Sequence, residues 1–368
     1  MSDRVRLIAF YLPQFHPIPE NDIWWGKGFT EWTNVGKAKP LFWGHYQPRV
    51  PADLGYYDLR VPETRKAQAD MARKYGIEGF MYWHYWFGNG KRLLERPFNE
   101  VLQSGEPNFP FALAWANESW KGFAHGLKNR NVLIEQEYPG DEDYIAHFYN
   151  VLPAFKDDRY IKVDGKPIFL VYKPSQLPDA YHFIDLWQKL AMQNGLRGIY
   201  FIGHHQSTKE HDYKSENDSL HEMLSMGFDS VNFVRLTKYL ENRSLLAKIW
   251  SRIYRAVFRV PLIVSYKHAM KYFSDNIDFE ELVIPSIIPC WDHSPRSGRD
   301  ALVLNNCNPD LFREHIDCVF DKVKNKKNKM IIIKSWNEWA EGNYLEPDLR
   351  WGTSFLERLK YSVDNIGK

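Results

Sequence analysis

The sequence predicts an α/β fold, a (β/α)8 TIM barrel, and three observations predict it. Eight short apolar runs recur along the chain, each of strand length and rich in β-branched or aromatic residues. The runs are near-continuous rather than alternating, which suits parallel strands buried on both faces. Helix-patterned segments lie between most of them, so β and α alternate. A doubly wound sheet shares that alternation, but no G-x-G-x-x-G follows the first run.

In chain order the first run is VRLIAFYL (5–12). ETRKAQADMARKYG then has helical periodicity and ends in a glycine suited to a C-cap, before IEGFMYW (77–83). FALAWA (111–116) is the third run, and DEDYIAHFYNVLPAF is a helix leading to IFLVY (168–172). FIDLWQKLAMQNG, again closed by glycine, leads to IYFIG (199–203). FDSVNFV (228–234), VIPSIIPCW (283–291) and MIIIKSW (330–336) complete the eight. Barrels of this kind centre near about 250 residues, so 368 residues leave a surplus for insertions. Residues 13–62, rich in Trp, Pro and Gly without clear periodicity, read as a long ordered loop over the barrel mouth. Residues 236–280 form a second insertion. One barrel domain spanning 1–368 is the expected organisation.

Composition narrows the function. A net charge of +2 argues against a dedicated nucleic-acid binder, and ordinary hydrophobic content excludes disorder. The three cysteines (Cys290, Cys307, Cys318) form no disulfide framework or C-x-x-C and read as core residues. No apolar stretch is long enough to span a membrane, and the run before Pro13 is too short for a signal-peptide core. A cytoplasmic protein is therefore expected. The 14 Trp, 21 Tyr and 23 Phe are unusual. Flat amphipathic rings suit sugar faces.

The second insertion is basic. Residues 242–274 contain seven Lys or Arg and no acid. Lys248, Arg252, Arg255 and Arg259 recur at helical spacing, and Ile249, Trp250, Ile253, Tyr254, Val257 and Phe258 fill the complementary stripe. Such a helix packs on the barrel with a solvated basic face, or it makes peripheral contact with an anionic (inner) membrane.

Active sites of these barrels lie at the C-terminal strand ends. Those ends carry Trp83, His84, Tyr85 and Trp86; Asn117, Glu118 and Trp120; Tyr172; His204; Trp291, Asp292 and His293; and Asn337, Glu338, Trp339 and Glu341. Polar groups, carboxylates and indole rings together suit an oligo- or polysaccharide. Trp83, Trp86, Trp120, Trp291 and Trp339 are expected to line one mouth, with His84, Asn117, Tyr172, His204, Asp292 and His293 as polar contacts. Trp24, Trp25, Trp32 and Trp43 are either further platforms or loop anchors.

Glu338 and Glu341 are the sharpest pair. Two carboxylates three residues apart can both face the mouth if a tight turn follows, and Gly342 permits one. Glycosidic cleavage needs one carboxyl as acid and a second as nucleophile or base. The acids at 141–143 read instead as a helix N-terminus rather than a sugar-nucleotide motif. His204-His205 lacks the partners of a metal site, so no metal or cofactor is expected.

At these residues the chain resembles a known family. LIAFYLPQFHPIPENDIWWGKGFTEWTNV, GFMYWHYWFGNGKRLLERPFNEVL, PFALAWANESW and IIIKSWNEWAEGNYLEP look like the WbsX family of bacterial polysaccharide-biosynthesis clusters. That family is related to glycoside hydrolase family 99, the endo-α-mannosidases. Their motif resembles N-E-W-H-E-G, and here Asn337 to Gly342 read N-E-W-A-E-G, with Ala340 in the place of the histidine. The resemblance implies that Glu338 deprotonates a sugar 2-hydroxyl, which displaces the leaving group through a 1,2-anhydro sugar. It implies that Glu341 is the general acid and later the base, with retention of configuration. The expected activity is endo-hydrolysis or transglycosylation of an α-linked, mannose-like polysaccharide. A surface-polysaccharide glycosyltransferase and a non-catalytic carbohydrate-binding barrel are the alternatives.

Overall fold

The structure is a computed structural model and describes residues 4–122, 131–206 and 215–366. Eight parallel strands close on themselves: β1 (Arg6–Tyr11), β2 (Gly79–Trp86), β3 (Phe111–Trp115), β4 (Lys166–Val171), β5 (Tyr200–Gln206), β6 (Ser230–Val234), β7 (Val283–Ile287) and β8 (Met330–Ile333). Each pairs with its neighbour in sequence. The ring shuts where β1 meets both β8 (Arg6↔Met330) and β2 (Ile8↔Gly79). All eight predicted runs are barrel strands. β2, β3 and β8 are buried at every position, as expected for strands covered on both faces.

The covering layer consists of α1 (Pro62–Lys74), α2 (Arg96–Ser104), α3 (Asp141–Lys156), α4 (Ala180–Gln193), α5 (Glu216–Ser225), α7 (Pro309–Val323) and α8 (Ser354–Asn365), with α6 (Leu245–Phe258) standing outside it. Their ends follow local chemistry. Asp179 caps α4 by accepting from the His182 N–H, and Asn308 caps α7. Gly76 and Gly195 stand just past α1 and α4 with φ of 88° and 81°. The acids at 141–143 occupy the first turn of α3, as read from the sequence.

Three expectations are corrected. Residues 13–62 are not all loop: Pro19–Trp25 and Glu31–Lys37 are helical. Cys290 and Cys307 are joined in a disulfide, with Cα atoms 5.8 Å apart, and Cys318 is exposed on α7. A single bridge between residues 17 apart has no spacing signature in the sequence. Finally, α6 buries none of its residues, so it does not pack on the barrel through its apolar stripe. No helix among the described residues is long and apolar enough to cross a membrane.

Candidate active site

The site forms just beyond β8. Asn337–Glu338 pair antiparallel with Asn343–Tyr344, and a single helical turn, Trp339–Glu341, joins them. Gly342 closes this loop at φ 57°. A Cβ there would lie 2.7 Å from the Cβ of Asp292, so close approach as well as backbone sign requires glycine. The tight turn expected from Gly342 is present, and it sets Glu338 and Glu341 around one cation.

That cation is Arg296, on the short helical turn Ser294–Ser297 after β7. Its guanidinium lies 2.6 Å from Glu341, 3.0 Å from Glu31 and 3.7 Å from Glu338. Arg296 and Glu31 were not among the sequence candidates. Glu31 opens the helix Glu31–Lys37 of the first insertion, and its side chain is only 1% exposed. Lys334, at the end of β8, is a third omission. Its ammonium sits 5.3 Å from the Trp291 ring centroid.

The electrostatics divide the pair. Burial, reinforced by the charge of Glu341, pushes the Glu338 carboxyl up to about 7. Burial acts on Glu341 in the same sense, but Arg296, then Lys334 and His293, outweigh it and hold that carboxyl below its usual range. Below about pH 7 the pair therefore favours its proton on Glu338 and its negative charge on Glu341.

Around the pair, Trp83 donates its indole N–H to Glu338 at 3.2 Å and stacks on Phe10. Tyr85 belongs to the same wall, its phenol raised by burial and then by the nearby Glu338. Tyr172 meets Trp83 edge to face and stacks on His204. Burial raises its phenol too, with Glu118, Glu341 and Glu338 adding. Burial lowers His204 to about 3, so the ring is neutral, with Nδ1 on Asn232. Among the described residues its buried Nε2 has no hydrogen-bond partner. Glu118 is 3.7 Å from Lys173. His293 approaches Glu341 at 3.9 Å, and Trp291 stacks near it.

Six candidates do other work. His84 and Trp86 point away from the mouth, because side chains alternate along a strand and Trp83 and Tyr85 take the inner face. The His84 and His147 Nε2 atoms are 2.8 Å apart, and Trp86 stacks on His147 while donating to Asp143. Asn117 is a clamp: its carbonyl accepts from the Lys173 N–H, and its amide donates to the Lys173 carbonyl and the Tyr138 hydroxyl. Asn337 treats Leu12 in the same way, tying β8 to β1. Asp292 is spent on His45, Gln47 and the Ser294 N–H. Trp339 is 1% exposed, stacks on Tyr344 and donates to the buried Glu346.

Trp120 is buried at 3%, edge-on to Tyr85 and Trp24, and so supports the wall from behind. In the first insertion, Trp24, Trp25 and Trp32 pack on the core as anchors. Trp32 donates to the Tyr57 carbonyl, and Trp43 is fully exposed. Among the described residues, no group of three His, Cys, Asp or Glu side chains is arranged to hold a metal ion.

The family described as Glycosyltransferase WbsX matches residues 7–359. The uncharacterized protein WxcX of Xanthomonas campestris pv. campestris, from two strains, is 34% identical over 364 residues, 97% of this chain. Those 364 residues are 49% of WxcX, so the chain spans about half the length of the curated relatives it matches. Among solved structures, a glycoside hydrolase-like protein superposes with a TM-score of 0.60 at 16% identity, covering 98% of this chain and 94% of that one. The GH99 endo-alpha-mannosidase from Bacteroides thetaiotaomicron gives 0.56 at 16% identity, covering 100% and 98%. At such identity the likeness is one of fold.

Proposed function

The chain belongs to the WbsX glycosyltransferase family, and on that premise we propose that it is a retaining carbohydrate-active enzyme. It cleaves or transfers within an α-linked, mannose-like polysaccharide by 2-hydroxyl participation. The observation that carries this reading is the buried pair Glu338 and Glu341, held around Arg296 at the C-terminal end of a barrel strand.

In the first step, the Glu338 carboxylate takes the proton of the sugar 2-hydroxyl. That oxygen bonds to the anomeric carbon as the glycosidic bond breaks. Glu341 gives its proton to the departing oxygen. In the second step, Glu341 takes a proton from water or an acceptor hydroxyl, whose oxygen opens the 1,2-anhydro ring. Glu338 returns its proton to the 2-oxygen. Two inversions give net retention.

Arg296 favours the Glu341 anion, so below about pH 7 the proton of the pair rests mainly on Glu338, the reverse of what this sequence requires. Arg296 also has Glu31 as a partner. A substrate that draws Arg296 off Glu341 toward Glu31 lets the proton pass from Glu338 to Glu341. The catalytic tautomer then forms only with glycan bound. Trp83, Tyr85, Tyr172, Trp291 and His293 shape the subsite, and Glu118 and His204 offer polar contacts.

Glu341→Gln tests the assignment. It should cut polysaccharide turnover by about 10²–10⁴-fold while glycan binding persists. An activated aryl glycoside, which needs little protonation, should recover part of the rate in Glu341→Gln but not in Glu338→Gln. Wild-type turnover in Glu341→Gln refutes the proposal, and rescue of Glu338→Gln instead reverses the two roles. A second reading, transfer onto a growing surface polysaccharide, is favoured by the family's description. The same two steps serve it, with an acceptor hydroxyl replacing water.

A further inference from the structure

Helix α6 is oriented opposite to an ordinary surface helix. Its half-buried residues are Ala247, Ser251 and Arg255, four apart on one line. Arg255 anchors that line by donating to the Arg299 carbonyl. The apolar stripe faces outward: Leu245, Leu246, Ile249, Trp250, Ile253, Tyr254, Val257 and Phe258 are all exposed, Trp250 at 70% and Val257 at 67%. Eight large apolar side chains on one outward face form a patch of the kind that marks an interaction site.

The helix is also locally well specified. Ser244 caps it by accepting from the Ala247 N–H, and Arg259 ends it in the left-handed conformation. Lys248, Arg252 and Arg259 stand exposed beside the apolar sector. No acid occurs anywhere in 242–274, against seven Lys or Arg, in a chain whose overall charge is only +2.

We propose that α6 is the surface by which this protein lies on an anionic lipid bilayer, its apolar stripe in the acyl boundary and its basic residues at the headgroups. The charge pattern selects this occupant. Two copies joined through the same stripe would bring two basic clusters together without any acid between them, whereas an anionic bilayer meets both halves of the pattern. The placement has a consequence. α6 follows the C-terminal end of β6, the same end of the barrel that carries Glu338 and Glu341. Arg255 touches the segment just after Arg296. A bilayer bound here lies on the mouth side, where saccharides displayed at the membrane are within reach.

The test is co-sedimentation of the full chain with extruded vesicles, either phosphatidylglycerol with phosphatidylethanolamine or pure phosphatidylcholine. Wild type should partition at least tenfold more strongly onto the anionic vesicles, and less so as salt rises. Trp250→Ser/Val257→Ser/Phe258→Ser should lose at least tenfold of that binding. Lys248→Gln/Arg252→Gln/Arg259→Gln should bind the two vesicle types alike. All substituted residues are exposed, so melting curves should match wild type. Equal wild-type binding to both vesicles, no binding, or wild-type binding by the apolar triple variant overturns the proposal. So does a concentration-dependent dimer in sedimentation velocity that the apolar triple variant abolishes, if vesicles are not bound.

Discussion

Replacing Arg296 with methionine keeps most of the side-chain volume and removes the charge that Glu31, Glu338 and Glu341 share. Arg296 is 7% exposed, and the three carboxylates are 1%, 8% and 14% exposed. Breaking a buried pair by deleting one partner costs about 3–5 kcal/mol, mostly the penalty of stranding the other charge. Unfolding 368 residues carries an entropy of about 0.8 kcal/mol per kelvin near 60 °C. The variant should therefore melt ~4–6 °C below wild type at pH 8. The pH dependence identifies the cause. Arg296 is the largest influence holding the Glu341 carboxyl low. Without it the folded-state pKa rises, so the folded variant takes up protons that wild type does not. A raised folded pKa adds stability that is fully present below the unfolded pKa and is lost as pH rises. Each pH unit of such uptake is worth about 1.4 kcal/mol per proton. The deficit should shrink to less than half by pH 5, measured as paired melting curves at both pH values. Arg296→Lys, which keeps a charge, should show a smaller deficit at pH 8. An equal deficit at pH 5 and pH 8, or none at pH 8, would refute the bridging role.

Two other outcomes follow from the same loop. Because burial and Glu341 push Glu338 up to about 7, the pair keeps the one proton that the departing oxygen needs only below that value. The kcat/KM profile should therefore fall as pH rises through an apparent pKa near 7, a property of the pair rather than of one residue. A profile flat or rising from pH 5.5 to 8 contradicts a catalytic proton held by the pair. Gly342→Ala forces a left-handed backbone on alanine and drives its Cβ against Asp292 and Arg49, at 2.7 and 3.0 Å. It should cost about 2–4 kcal/mol and lower turnover with it; melting and activity both unchanged would mean that the loop relaxes.

The barrel was legible because its signal is local. Eight apolar runs of strand length, with helical patterns between them, need no knowledge of partners, and each became a barrel strand. The E-x-x-E pair was legible for a related reason, since the strand end, the spacing and Gly342 all lie within one loop. The candidates on β2 show where that reasoning stops. A run buried on both faces has no hydrophobic alternation, so the sequence gives no sign of which residues face inward. Trp83 and Tyr85 reach the mouth, and His84 and Trp86 turn to α3.

The residues that govern the protons lay beyond that reach altogether. Arg296 and Glu31 are 265 residues apart, and neither follows an apolar run directly. They meet because the first insertion folds back onto the loop after β7, where Asp292 accepts from His45 and Gln47. Asp292 and Asn337 looked like substrate ligands for the same reason that they are effective clamps. A buried amide or carboxylate at a strand end must satisfy its polar atoms, and here neighbouring chain segments do so. Among the described residues, the polar groups such segments leave without a partner include Nε2 of His204. A carboxylate pair held at the barrel mouth around Arg296 is then a site whose charge state depends on what displaces that arginine.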